Sequence, residues 1–138
     1  VVTSIEATRM AEATQPYSSY VPTIANVATS FAVAQWTRSG DRVHVEFQFT
    51  LSAAPAGEVT MSLPGAATTA LAFGGFAARG VVGGTRGGSG GTPQYGFVYL
   101  VNANTVGFVS GSSNWTTGVP VAWAGTDVWG GSFDYQVA

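Results

Sequence analysis

The chain carries a single histidine, His44, and Glu46 lies two residues beyond it. Residues two apart on a strand share a face, so this carboxylate could orient the imidazole for general acid–base work. Any triad, dyad or histidine metal site has to pass through His44. The pair sits at neither a strand end nor a pocket mouth, and it reads as an exposed cross-strand polar pair. The seven Asp and Glu residues could also supply a glycosidase couple, which needs two carboxyls roughly 5–9 Å apart across a cleft. Asp127 and Asp134 lie near the C-terminus, while Asp41 stands in a tight turn that favours Asp on local grounds. No spacing rule links them. No catalytic residue is assigned, and catalysis is expected to be absent.

Other chemistries fail on composition. With no Cys there is no thiolate nucleophile, disulfide or cysteine metal site. All five bases are Arg, which removes Walker-type phosphate loops, Schiff bases and polybasic membrane attachment. Residues 83–91 (Gly-Gly-Thr-Arg-Gly-Gly-Ser-Gly-Gly) cluster backbone amides that could cradle an anion. Neither a helix pattern nor a Lys follows them, so the stretch reads as a flexible loop. No metal, cofactor, nucleic-acid or membrane partner is expected.

Aromatics are the most suggestive class, at 12% of the chain with four tryptophans. Trp36 precedes a turn and reads as packed. Trp115 lies in a polar loop, Ser112-Ser113-Asn114-Trp115-Thr116-Thr117, and Trp123 and Trp129 bracket a Gly125-Thr126-Asp127 turn. Exposed aromatics on loops stack on sugar rings or anchor protein interfaces. Trp115, Trp123 and Trp129 are therefore candidates for ligand or interface contact. The competing reading has them filling the ends of a sandwich. Asn114-Trp115-Thr116 also matches a glycosylation sequon, at near-chance frequency in a chain this rich in Ser and Thr.

The elements that must position these residues are short strands. In Arg42–Leu51, Val43, Val45, Phe47, Phe49 and Leu51 alternate without exception with polar residues, the mark of a half-buried strand. Ser39-Gly40-Asp41 is turn chemistry, and residues 31–37 before it complete an antiparallel hairpin. Residues 58–63 alternate again and end at Pro64-Gly65. Residues 94–101 and Thr105–Ser110 flank Asn102-Ala103-Asn104 as a second hairpin. Its first strand is apolar on both faces, with Tyr95, Phe97, Tyr99 and Val101 opposite Val98 and Leu100. Residues 132–137 alternate once more. Residues 23–27, 71–76 and 119–123 are weaker strands. About eight strands and no helical period predict an all-β fold, an antiparallel β-sandwich of jelly-roll type over residues 21–138.

At 138 residues the chain is one domain's worth. Its formal charge is −2, and charged residues make up 9% against roughly 25% in an average soluble domain. Glycine, at 19 of 138, is about twice its usual ~7% share. No apolar run approaches the ~18 residues of a membrane span. A folded surface of Ser, Thr, Gly, Ala and Asn lacks the repulsion that keeps cytosolic proteins apart, and it points to extracellular or assembled life.

A resemblance follows from three strings. Gln35-Trp36-Thr37-Arg38-Ser39-Gly40-Asp41-Arg42-Val43-His44-Val45-Glu46-Phe47 is the first, Ser62-Leu63-Pro64 the second, and Asp127-Val128-Trp129-Gly130-Gly131-Ser132-Phe133-Asp134-Tyr135 the third. With the entry segment Tyr20-Val21-Pro22-Thr23, they resemble the small β-sandwich module of tailed-bacteriophage virion proteins. Head-decoration proteins, head fibres and tail-fibre tips carry that module. The resemblance implies a homotrimer on the virion surface, bound to the major capsid protein or another virion protein, with no catalytic motif. A receptor- or carbohydrate-binding tip that engages a cell-surface glycan is the alternative.

Residues 1–20 match nothing in that pattern and read as an N-terminal arm. They have no clear period, yet they hold Val1, Val2, Ile5 and Met10 alongside Glu6, Arg9 and Glu12. Segments of that composition order on binding. Val2, Ile5, Met10, Tyr17 and Tyr20 are thus candidate contacts to neighbouring subunits.

Overall fold

The computed structural model describes residues 16–65, 78–86 and 93–137. Ten strands follow in order: β1 Ser18–Tyr20, β2 Ile24–Ala25, β3 Thr29–Ser39, β4 Arg42–Leu51, β5 Thr60–Ser62, β6 Ala78–Thr85, β7 Gln94–Asn102, β8 Thr105–Ser110, β9 Ser113–Asn114 and β10 Val128–Gln136. Every pairing is antiparallel, and the described residues contain no helix. The fold is all-β, as the alternation predicts.

One sheet runs β1-β3-β4-β10-β6-β7-β8-β5-β2, with β9 on β8. Its two outer strands are consecutive in sequence, joined by Val21, Pro22 and Thr23. A linker of three residues spans only about 10 Å, so the sheet must curl until its edges approach. Hydrogen bonds close the seam. The Thr23 N–H donates to Ser62 Oγ at 2.8 Å, the Ser62 N–H donates to the Thr23 carbonyl at 3.0 Å, and the Tyr20 hydroxyl donates to the Ser62 carbonyl at 3.1 Å. The result is a sandwich-like roll around one core.

The curl is tightest between β10 and β6. A Cβ on Gly131 would stand 2.0 Å from the Val81 carbonyl oxygen, and one on Gly80 would stand 2.1 Å from that of Ser132. Only glycine lets the two backbones approach this closely.

The structure departs from the sequence reading in three places. The arm assigned to residues 1–20 ends too late, because Ser18, Ser19 and Tyr20 pair with Trp36, Gln35 and Ala34 as an edge strand of the sheet. Residues 83–91 are not wholly loop, because Gly83–Thr85 complete β6 and pair with β7 and β10. Residues 119–123 form no strand, only an isolated bridge from Thr116 to Val119. The predicted strand at residues 71–76 lies outside the described residues.

The inner face follows the sequence pattern. Val43, Val45, Phe47, Phe49 and Leu51 of β4 are all buried, and Phe47 packs against Phe49, Phe108 and Phe133 with centroids 5.6–6.1 Å apart. Gly40, with φ of 62°, opens the two-residue β3–β4 turn, where a positive φ suits the right-handed strand twist.

Candidate functional site

The three loop tryptophans are core residues. Trp115, Trp123 and Trp129 are 0%, 2% and 0% exposed, so their assignment as surface contacts is corrected. They form a mutual cluster: Trp115–Trp129 centroids lie 4.9 Å apart at 86°, Trp123–Trp129 5.0 Å apart at 61°, and Trp115–Trp123 5.3 Å apart. Edge-to-face contact is the favoured geometry for such rings. Two indole N–H groups are satisfied, Trp115 Nε1 by Ser110 Oγ at 2.6 Å and Trp123 Nε1 by the Val119 carbonyl at 2.9 Å. Trp115 and Trp123 turn inward from polar loops, and Trp129 is an inward position of β10.

The remaining candidates divide. Val2, Ile5 and Met10 lie outside the described residues. Tyr17 is exposed and meets His44 edge-on, with centroids 6.4 Å apart. Tyr20 is half-buried at the seam, and desolvation holds its hydroxyl well above the usual phenol range.

His44 stands on the outer face, flanked by two carboxylates. Its Nδ1 lies 2.7 Å from Asp134 Oδ1 and its Nε2 lies 3.5 Å from Glu46 Oε1. Glu46 is the neighbour the alternation predicts. Asp134 is the partner it misses, because the register that sets Asp134 opposite His44 arises only when β10 docks on β4. Both imidazole nitrogens face carboxylates, an arrangement that holds the ring but offers it no nucleophile to activate. Asp127 lies elsewhere: it is buried, and its Oδ2 accepts the Ala124 N–H at 2.8 Å within the turn before β10. Six strand steps separate Val128 from Asp134, about 20 Å, which is beyond the span of a glycosidase couple.

The outer face is best read in rungs across the strands. One rung runs Val33, Gln48, Gly130, Gly83, Tyr95. The next runs Gln35, Glu46, Ser132, Val81, Phe97, Val109. In the middle, β10 and β6 carry Gly130 and Gly83 in the first rung, and Ser132 with Val81, 55% exposed, in the second. On one side stand Gln48 and Glu46, with Gln35 Nε2 donating to Glu46 Oε2 at 2.8 Å. On the other side, Tyr95 and Phe97 are 75% and 62% exposed. A depression of about 360 Å³ adjoins the polar side, lined by Ser19, Val33, Gln35, Glu46 and Gln48 among others. Further along, the Tyr99 hydroxyl donates to Glu58 Oε1, and burial together with that bond raises its pKa.

Nothing in the sequence pattern distinguishes this aromatic pair as exposed. The strand β7 is apolar on both faces in sequence, but Gly96, Val98 and Leu100 are buried while Tyr95, Phe97 and Val101 on the other face are exposed and Tyr99 is half-buried.

No family model, no curated protein and no solved structure matches the chain. The resemblance to a virion module therefore rests on the sequence strings quoted above.

Proposed function

We propose that this chain is a non-catalytic structural protein of a virus-particle surface, a head-decoration or head-fibre module. It assembles as a homotrimer and binds the major capsid protein or another virion protein. The observation that carries the reading is the edge of β3, which beyond Ala34 has no partner strand other than β4 among the described residues. The last β1 pair is Tyr20 with Ala34, so residues 29–33 of β3 run on past β1 toward solvent. On that stretch Phe31 is 52% and Val33 43% exposed. A long apolar edge is a pairing surface that soluble monomers protect with charge, and the edge residues 29–33 here carry none. The burial of the tryptophans adds support, since it removes the indole platforms that a carbohydrate-binding tip would present.

Sedimentation velocity on the full chain tests the assembly. The expected species is a trimer that persists at ~0.5 M salt, where the Debye length is only a few Å. Phe31→Glu should convert it to monomer. A wild-type monomer at all concentrations would overturn the reading. Electron microscopy of antibody-labelled source particles then tests the location, with label on the head expected and label absent from the particle counting against it.

A further inference from the structure

In a ring of three copies each interface is heterologous: it joins two different patches of the chain. The edge of β3, with Phe31 and Val33, supplies one patch. Its complement has to be a second exposed apolar surface of the same chain. Val81 of β6 with Tyr95 and Phe97 of β7 form such a surface, all three being largely exposed. Val81 and Phe97 are direct cross-strand partners, and Tyr95 stands two residues before Phe97 on the same face. Together they make one cluster on the outer side of the roll.

The two patches do not cover each other within one protomer. Val33 and Tyr95 stand on the same rung, with Gln48, Gly130 and Gly83 between them. Four strand spacings separate β3 from β7, about 19 Å along the sheet. Gln48 and Glu46 on β4 and Ser132 on β10 interrupt the apolar surface, and Glu46 is already engaged by Gln35 and faces His44. A shared rung also sets the two patches level along the strands. A head-to-tail contact between level patches brings no shift in that direction, so it closes into a ring instead of climbing into a filament.

The patches also match in chemistry. Neither residues 29–33 nor the Val81–Tyr95–Phe97 cluster includes a charged side chain, and the centre of a protein interface is depleted in charge and rich in Tyr and Phe. Asp134 and Arg79, register partners on the next outward-facing rung, stand where the polar rim of such an interface would lie. Phe31 brings a ring to two rings, and contact between rings adds to the gain from burial. Beyond Ala34 the β3 edge has only β4 as partner among the described residues, so its outward backbone groups need hydrogen bonds. The Tyr95 hydroxyl, which both donates and accepts, is the polar group that the cluster offers them.

We propose that Val81, Tyr95 and Phe97 receive Phe31 and Val33 of a second copy of this chain. Each protomer gives its β3 edge to one neighbour and its β6–β7 face to the other. The contact rests on the trimer reading and supplies the second surface that the β3 edge alone does not specify.

Sedimentation velocity on mixed variants of the full chain tests it. Phe97→Glu, at an exposed position, should convert the trimer to monomer while the thermal transition stays in place, and Tyr95→Glu should do the same. Phe31→Glu and Phe97→Glu mixed in equal amounts should then form a dimer and nothing larger. One intact edge meets one intact face, and the two remaining patches are blocked. A wild-type monomer, or a trimer that survives Phe31→Glu, would overturn the assembly reading and this contact with it. A wild-type trimer that persists in both Phe97→Glu and Tyr95→Glu would overturn this contact alone. So would a mixture that stays monomeric, for then the face is covered by something else, residues 1–15 of the chain included.

Discussion

The two faces of β6 use the same pair of residue types, glycine and aromatic, in opposite ways. On the inner face, a Cβ on Gly84 would fall 2.3 Å from Trp123 Cη2, so the indole occupies the space that a side chain would take. On the outer face, the adjacent Gly83 has room for a Cβ and an exposed tyrosine beside it. One glycine is a socket and the next is a vacancy. Glycine beside an aromatic does not by itself mark a core or a site. What decides is whether the ring has already filled the gap.

If the inner cluster is the keystone of the roll, removing its centre should have the largest effect. Trp129 touches Phe49, Phe108, Trp115 and Trp123 at centroid distances of 4.9–5.8 Å. Trp129→Ala should cost about 3–5 kcal/mol in urea unfolding, the usual figure for a buried large aromatic. A loss below about 1 kcal/mol would mean that the cluster is peripheral and the comparison misplaced.

The socket itself comes next. Gly84→Ala forces a methyl into Trp123, whose Nε1 is tethered to the Val119 carbonyl at 2.9 Å and which cannot swing aside without losing that bond. Overpacking of this kind typically costs about 1–3 kcal/mol. Tryptophan fluorescence should shift with it, since the indole must move.

Alkaline pH probes the tyrosines that tie the roll together. Desolvation pushes Tyr135 from 10.0 up to about 12, and its hydroxyl donates to the Gly65 carbonyl at 2.9 Å. Tyr20 and Tyr99 are raised for the same first reason. Each stays protonated in the folded state at a pH where the unfolded chain has begun to ionise. Their stabilising contribution is therefore complete below about pH 10 and is lost as pH rises toward 12. The urea midpoint should fall steadily over that window, and absorbance should show these phenols ionising together with unfolding. A midpoint flat to pH ~12 would mean that the phenols are solvated.

The sequence made the strands with strict alternation legible. β4 falls where alternation puts it, because a half-buried strand writes its inner face at every second position, and β8 falls where the Asn102-Ala103-Asn104 turn puts it. β6 was not legible, since three of its eight residues are glycine and a glycine strand has the composition of a linker. Its existence depends on β10 and β7 on either side, which is tertiary information. For the same reason the His44–Glu46 pair could be read and Asp134 could not: one is a spacing along a strand, the other a register between distant strands. Of the two readings of the tryptophans the packed one holds: Trp115 and Trp123 are inward residues of polar loops and Trp129 is an inward position of β10, which local sequence alone does not decide. The open face of Tyr95 and Phe97 carries no sequence signal, since exposure is set by what the sheet leaves uncovered.

The smallest expected effect has the opposite sign and isolates the vacancy. Gly83→Ala places a methyl 3.8 Å or more from its neighbours, in ordinary van der Waals contact. The φ at Gly83 lies outside the left-handed region, so alanine can adopt it without strain. The folded state loses nothing, while the unfolded chain loses backbone freedom, and the substitution should stabilise by about 0.4–1 kcal/mol. Compared with Gly84→Ala, one methyl moved by one residue should therefore swing stability from gain to loss. The paired urea midpoints measure this directly. If both substitutions destabilise alike, Gly83 is held by packing as Gly84 is, and the space beside the Tyr95 ring is not open.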